Sequence, residues 1–163
     1  MKYYDEGAVR SRLRWDELIA TMESALAAFS CGRTQQPVRS VLRVGERDRF
    51  FGIMPAIAGD VMGLKAVTFY PDNADRGVPT HQGTVLLFRT ETGEPLGAMD
   101  GRLITEMRTA AVSAAITKHV MPAAARTLAI IGSGVQAAAH FEALRRFIVS
   151  RTCAVHGSSR ERT

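Results

Sequence analysis

The sequence is poor in cysteine and lysine, and it has no long apolar run. Its two cysteines, Cys31 and Cys153, stand far apart and spell neither a CxxC redox pair nor a thiolate metal-ligand pair. The histidines His81, His119, His140 and His156 share no ligand spacing, so solvated or hydrogen-bonded rings account for them and no metal site is expected. No stretch approaches the ~20 apolar residues of a membrane helix. The N-terminal MKYYDEGAVRSRLRW lacks the apolar core of a signal peptide. The expectation is a cytoplasmic protein with no membrane partner. Repeats and low-complexity segments are missing as well.

Charge is present but undirected. Lys+Arg number 21 against 16 Asp+Glu, a net of +5, yet the arginines are scattered without a basic run or interleaved aromatics. A nucleic-acid surface would gather them on one stripe, so no nucleic acid is expected. The lysines are only Lys2, Lys65 and Lys118, and Lys65 lies inside an apolar segment.

A chain of 163 residues suits one domain, or a small domain plus part of another. Its organising stretch is Thr127 to Ala143, TLAIIGSGVQAAAHFEA. The run Leu128–Ile131 reads as a buried strand, Gly132-Ser133-Gly134 as a turn, and a helix follows at once. That is the context of a dinucleotide-binding turn. Gly132 permits the tight turn, Gly134 lets backbone approach a pyrophosphate, and Ala137 lets the helix pack on the strand. The helix N-terminus offers unpaired N–H groups and a positive dipole end.

Upstream, Asp16 to Phe29 has a helical period, with Leu18, Met22, Ala25 or Leu26, and Phe29 on one face and Gly32 as its stop. Short extended pieces follow at Val38–Val44, Phe50–Ile57, Val61–Tyr70, Thr84–Phe88 and Leu96–Met99. A long loop spans Pro71 to Pro79, and Thr90–Glu94 is a hairpin turn. The spacing predicts a mostly antiparallel sheet with the first helix against one face. Asp100-Gly101 breaks it, and Thr105 reads as the N-cap of a helix with Arg108 in its first turn. The small face Ala110, Ala111, Ser113, Ala114 and Ala115 would let another backbone come close. The expected fold class is α/β: an α+β domain over 1–120, then the start of a Rossmann domain over 121–163. Cys153–Gly157 reads as the second strand of a βαβ unit. A doubly wound sheet needs more strands, so the chain is expected to be a piece of a longer protein or to rely on a partner.

The blocks PVRS (Pro37–Ser40), GLKAVTFYPDN (Gly63–Asn73), GVPTH (Gly77–His81), TGEPLGAMDG (Thr92–Gly101), ITEMRTAAVSA (Ile104–Ala114) and LAIIGSGVQA (Leu128–Ala137) resemble the ornithine cyclodeaminase/mu-crystallin family in order and spacing. The resemblance covers nearly the whole chain but only the first half of a typical member. It implies a homodimer with a substrate-binding and dimerisation domain and a Rossmann domain. It also implies NAD or NADP as cofactor, and a small amino or imino acid as substrate.

Carried over by position, Arg39, Lys65 and Arg108 match the substrate-binding cations, with Lys65 the catalytic candidate. Thr80, Arg108, Thr109, Gly132, Ser133, Gly134, Val135 and Gln136 match the cofactor side. The set makes chemical sense, because arginine grips a carboxylate through a two-pronged fork. A lysine among apolar neighbours gives up its proton more readily, so Lys65 would hold the carboxylate or take part in proton transfer. Arg108 in a first helical turn opposes the dipole, which favours a ligand role over a stabilising one. Ser159 and Arg160, with no acid before Glu161, suit the NADP phosphate over the NAD ribose. The family's general acid/base aspartate has no match here, and Asp100 is not that residue. The expected activity is an NAD(P)-dependent oxidoreductase of the ketimine or pyrroline-carboxylate reductase or amino acid dehydrogenase type. The alternatives are ornithine cyclodeamination and a non-catalytic dimerising or ligand-binding module.

Overall fold

The structure, a computed structural model, describes residues 1–148 and 152–156. It divides into two compact units, Met1–Arg12 with Leu26–Ile104, and Leu13–Ala25 with Thr105–Thr163.

The first unit is built on a seven-stranded sheet. Its antiparallel centre is the run β4 (Phe50–Ala58), β5 (Val61–Phe69), β6 (His81–Arg89) and β7 (Pro95–Asp100), each strand paired with the next. The apolar runs and glycine-bearing turns that mark these strands in the sequence set their ends to within a few residues. In the hairpin between β6 and β7, Arg89 N–H donates to Glu94 O and Gly93 N–H to Arg89 O, both at 2.9 Å. On its outer side β4 carries β3 (Ser40–Arg43) opposite Phe50–Ile53, and β2 (Thr34–Gln35) opposite Ile57–Ala58. Pro55 falls in the interval between these two partners, with β5 Leu64 opposite it on the other side.

Besides the short β2, two elements at the start of the chain were not expected. Lys2–Tyr4 forms β1, parallel to β7, and Glu6–Arg10 forms α1, capped by Asp5, whose Oδ1 accepts the Ala8 N–H at 2.8 Å. Arg102, two residues past the end of β7, donates to Glu6 and ties this segment to the chain there. The expected loop after β5 contains a 3-10 turn, Pro71–Arg76. Its buried Asn73 donates from Nδ2 to Pro79 O at 3.2 Å, and Arg49 pins Asp72 through a two-pronged ion pair.

The second unit is helical packing beside a two-stranded parallel sheet. Helix α2 (Trp15–Ser30) buries Ile19, while Phe29 stays exposed. Trp15, Leu18, Ile19 and Met22 join a cluster made by α3 (Gly101–Val120) and α4 (Val135–Leu144), a cluster absent from the expected helix-on-sheet arrangement. Ala110, Ala111, Ala114 and Ala143 are fully buried there. Methyl-only side chains allow the close helix approach foreseen for this face. Strands β8 (Thr127–Ile131) and β9 (Thr152–His156) pair in parallel, Leu128 opposite Cys153 and Ile130 opposite Val155. Strand, helix and parallel strand make the expected βαβ unit. No helix among the described residues is long and apolar enough to cross a membrane.

Candidate cofactor turn and cation row

The β8–α4 turn has the geometry its sequence predicts. Gly132 has φ +118°, a backbone region that side-chain-bearing residues rarely enter. Gly134 is the N-cap of α4, extended at φ −81°, ψ −177°, and no side chain caps the helix. Ala137 N–H donates to Gly134 O at 3.0 Å, while the Val135 and Gln136 amides before it have neither an intrahelical nor a side-chain acceptor among the described residues. A Cβ placed at either glycine would enter open space, so this is a cradle that a side chain would fill. The turn opens on a cleft of about 420 Å³ lined by Ile130, Gly132, Gly134, Gln136, Ala137 and His140. Gln136 Oε1 is buried and has no hydrogen-bond partner among the described residues. Bare N–H groups, a positive helix end and an unused acceptor suit the phosphate and hydroxyl groups of a dinucleotide. Ser133 is exposed and Val135 is 63% exposed at the helix start.

The sheet of the first unit holds two of the three expected cations, Lys65 within β5 and Arg39 just before β3. Lys65 is half-buried in the middle of β5, opposite Met54 on β4 and Val85 on β6. Arg39 is exposed and directly precedes β3, whose Ser40 pairs with Ile53. Continuing that register by one residue sets Arg39 opposite Met54, in the same cross-strand row as Lys65. Side chains alternate faces along a strand, so members of one row share a face.

Arg108 and Thr109 lie on α3, in the second unit. The expectation for this helix is corrected. The helix begins at Gly101, not after Thr105, and Asp100 is its cap: Oδ1 accepts Arg102 N–H at 3.0 Å and Leu103 N–H at 3.2 Å. Arg108 is therefore about two turns inside the helix, and the argument from dipole opposition in a first turn does not apply. Thr109 Oγ1 donates to Thr105 O at 2.6 Å. Thr80 precedes β6 and its carbonyl accepts the Tyr70 N–H at 2.8 Å, closing the loop that Asn73 braces. Ser159 and Arg160 lie outside the described residues.

Two polar residues went unassigned in the sequence. Ser113 Oγ stands 2.9 Å from His140 Nε2, and His140 Nδ1 stands 2.7 Å from Gln136 O. The available signal was spacing: Gln136 and His140 are four apart on one helix, and Ser113 interrupts an alanine face.

A βαβ unit whose strand passes through an uncapped glycine turn into its helix is the arrangement that dinucleotide-binding folds use. The chain belongs to the ornithine cyclodeaminase/mu-crystallin family, whose model matches residues 4–163. It is 47% identical over 130 residues to the ketimine reductase mu-crystallin of Rattus norvegicus, covering 77% of this chain and 42% of that protein. Among solved structures it resembles Thermococcus litoralis Δ1-pyrroline-2-carboxylate reductase in complex with NADH and L-proline, with TM-score 0.90, 29% identity, and coverage of 95% of this chain and 49% of that one. It also resembles an archaeal alanine dehydrogenase dimer with bound NAD, with TM-score 0.91, 30% identity, and coverage of 95% and 48%. The chain thus spans about two-fifths to one-half of the length of these relatives. The NAD-bound relatives support a nicotinamide cofactor.

Proposed function

We propose that this chain supplies the carboxylate-holding sheet and the first phosphate-binding turn of an NAD(P)-dependent reductase of small imino acids. The observation that carries the reading is the Gly132–Gly134 turn, with its positive φ, uncapped helix and open cradle. Backbone N–H groups of Val135 and Gln136 would hold the pyrophosphate, with Gly132, Ser133 and Gly134 shaping its approach. Thr80, Arg108 and Thr109 complete the cofactor side, and NADP is preferred through Ser159 and Arg160.

Arg39, Lys65 and Arg108 are assigned to the substrate carboxylate. When bound, the nicotinamide supplies hydride to the imine carbon. The residues of the chain orient the substrate and handle the proton. Lys65 Nζ holds or delivers the proton that the imine nitrogen gains. Fixing one carboxylate between cations converts a free encounter into an oriented one, which is where binding lowers the barrier. Residues 1–120 are assigned to substrate binding and dimerisation, and 121–163 to the start of the Rossmann domain. The protein would act as a homodimer, like the alanine dehydrogenase relative.

The test mixes the protein with NADPH or NADH and Δ1-pyrroline-2-carboxylate and follows loss of the reduced nicotinamide's absorbance. Turnover that falls in Lys65→Ala and Arg39→Ala supports the reading. Ammonia release from ornithine without net cofactor consumption favours the cyclodeaminase alternative. Binding without turnover of either substrate leaves a ligand-binding module. Tighter NADH than NADPH binding overturns the cofactor preference.

A further inference from the structure

Most of the residues that α3 and α4 bury in their shared cluster are alanines, joined by Leu144 of α4 and by Ile19 and Ile148 from outside the two helices. Ala110, Ala111, Ala114 and Ala115 on one side, and Ala139 and Ala143 on the other, are buried in a single cluster. Such surfaces let helices come close, but methyl groups make shallow ridges and grooves and do little to fix rotation or sliding. A directional bond is what sets register on a surface of this kind.

One such bond is present. His140 Nδ1 lies 2.7 Å from the Gln136 carbonyl on its own helix, and Nε2 lies 2.9 Å from Ser113 Oγ on α3. A carbonyl only accepts, so Nδ1 carries a ring proton. In the neutral ring Nε2 is then an acceptor, and the single hydroxyl proton of Ser113 points to it. The competing acceptor for that proton, Thr109 O, is farther away at 3.4 Å. The chain of bonds runs from α3 through one imidazole to the first turn of α4. It reaches the peptide of Gln136, two residues after the Gly134 cap, and Gly134, Gln136 and Ala137 all line the cleft. His140 also lines that cleft, beside the unpartnered Gln136 Oε1.

We propose that His140 and Ser113 are positioning residues for the cofactor turn. Their hydrogen-bonded bridge locks the first turn of α4 in register on α3, so that the Val135 and Gln136 amides stand where a dinucleotide phosphate needs them. The bridge touches no reacting atom. It acts through Gln136, and it rests on the reading of Gly132–Gly134 as a cofactor turn.

The test uses the full chain with NADH as the probe. Ser113→Ala cuts the α3 end of the bridge with a change too small to unfold the helix pair. His140→Asn keeps a donor for the Gln136 carbonyl but is too short to reach Ser113. Ser113→Thr keeps the hydroxyl. Three readouts separate positioning from a general structural role: NADH affinity well below the melting temperature, amide exchange at Ala137 and Ala138, and the ring tautomer by nitrogen NMR. The expected result is an Nδ1–H ring in the unaltered chain. Both cutting variants should weaken NADH binding about tenfold and speed exchange at the two amides, and Ser113→Thr should restore both. An Nε2–H neutral ring, or His140→Asn binding NADH like the unaltered chain, overturns the proposal. Faster exchange with unchanged NADH affinity overturns it too. If the unaltered chain takes up neither NADPH nor NADH, the functional reading itself falls, and the proposal with it. The tautomer and exchange measurements tell that failure apart, because they need no cofactor.

Discussion

Adding one methyl group at Gly134 and one at Gly132 should have opposite balances of effect. At Gly134 the backbone is extended, φ −81° and ψ −177°, and a Cβ meets nothing within 4 Å. Gly134→Ala therefore introduces neither strain nor clash. Alanine is the poorer N-cap, by a few tenths to ~1 kcal/mol. It also restricts the unfolded chain, which returns ~0.4–1 kcal/mol. The net change in stability should lie within about 0.5 kcal/mol of zero. The methyl group nevertheless occupies the open space through which a pyrophosphate would reach the helix amides. NADH affinity should fall at least tenfold, or about 1.4 kcal/mol. At Gly132 the Cβ also meets nothing within 4 Å, but φ is +118°. Gly132→Ala should cost about 1–3 kcal/mol of stability from backbone strain alone, and it should lose NADH binding as well. Urea unfolding midpoints and fluorescence titration with NADH, run on both variants, separate the two effects. If Gly134→Ala binds NADH like the unaltered chain, the turn is not a phosphate cradle. If Gly132→Ala is as stable as the unaltered chain, the turn does not hold the geometry described.

Three further changes test the scaffold. Asp100→Ala removes the acceptor of the Arg102 and Leu103 amides at the start of α3 and should lower stability by about 1 kcal/mol, read from thermal melting. Gly101→Ala sets a Cβ 2.8 Å from Gly83 C and 3.0 Å from Gly83 O and Thr84 N, all backbone atoms that cannot swing aside. It should cost about 1–3 kcal/mol in urea unfolding. Lowered pH should loosen the loop that holds Thr80. The Arg49 guanidinium beside Asp72 holds that carboxyl down at about 2, below its ordinary 3.8. The pair's contribution is therefore fully present above the unfolded value and is lost as pH falls from about 4 towards 2. Asp72→Asn should flatten the stability profile in that window and leave it unchanged at neutral pH apart from a constant offset.

What the sequence disclosed and what it hid follow from how local each feature is. The strands β4 to β7 are bounded by their own turn residues, and the Gly132 turn is written in consecutive residues, so each could be read in place. Strand β1 is three residues long and exists only because β7, more than ninety residues away, offers it an edge. Nothing in KYY announces that. On α2 the expected face holds at Leu18 and Met22, which pack in the alanine-rich cluster with Trp15 and Ile19, and fails only at Phe29, which stays exposed at the end of the helix. The start of α3 was misplaced because Gly101 is a poor helix former. Asp100 serves at once as the last residue of a strand and as the cap of a helix, and that double use shows only in three dimensions.

The same distinction runs through the candidate site. The apolar setting of Lys65 was visible because its neighbours in sequence are also its neighbours in the strand. That Arg39 joins its row depends on the pairing of β3 with β4 and of β4 with β5, a relation no single stretch contains. The role suggested for Arg108 from a first-turn position disappeared with the true helix start, so its assignment now stands on family position alone. His140 shows the opposite case. As an isolated histidine it called for nothing. Placed four residues after Gln136 and hydrogen-bonded to Ser113 on α3, it carries directional bonds beside a cluster made largely of alanine. In an interface of alanines, polarity marks register, and register at the first turn of α4 is what the phosphate turn requires.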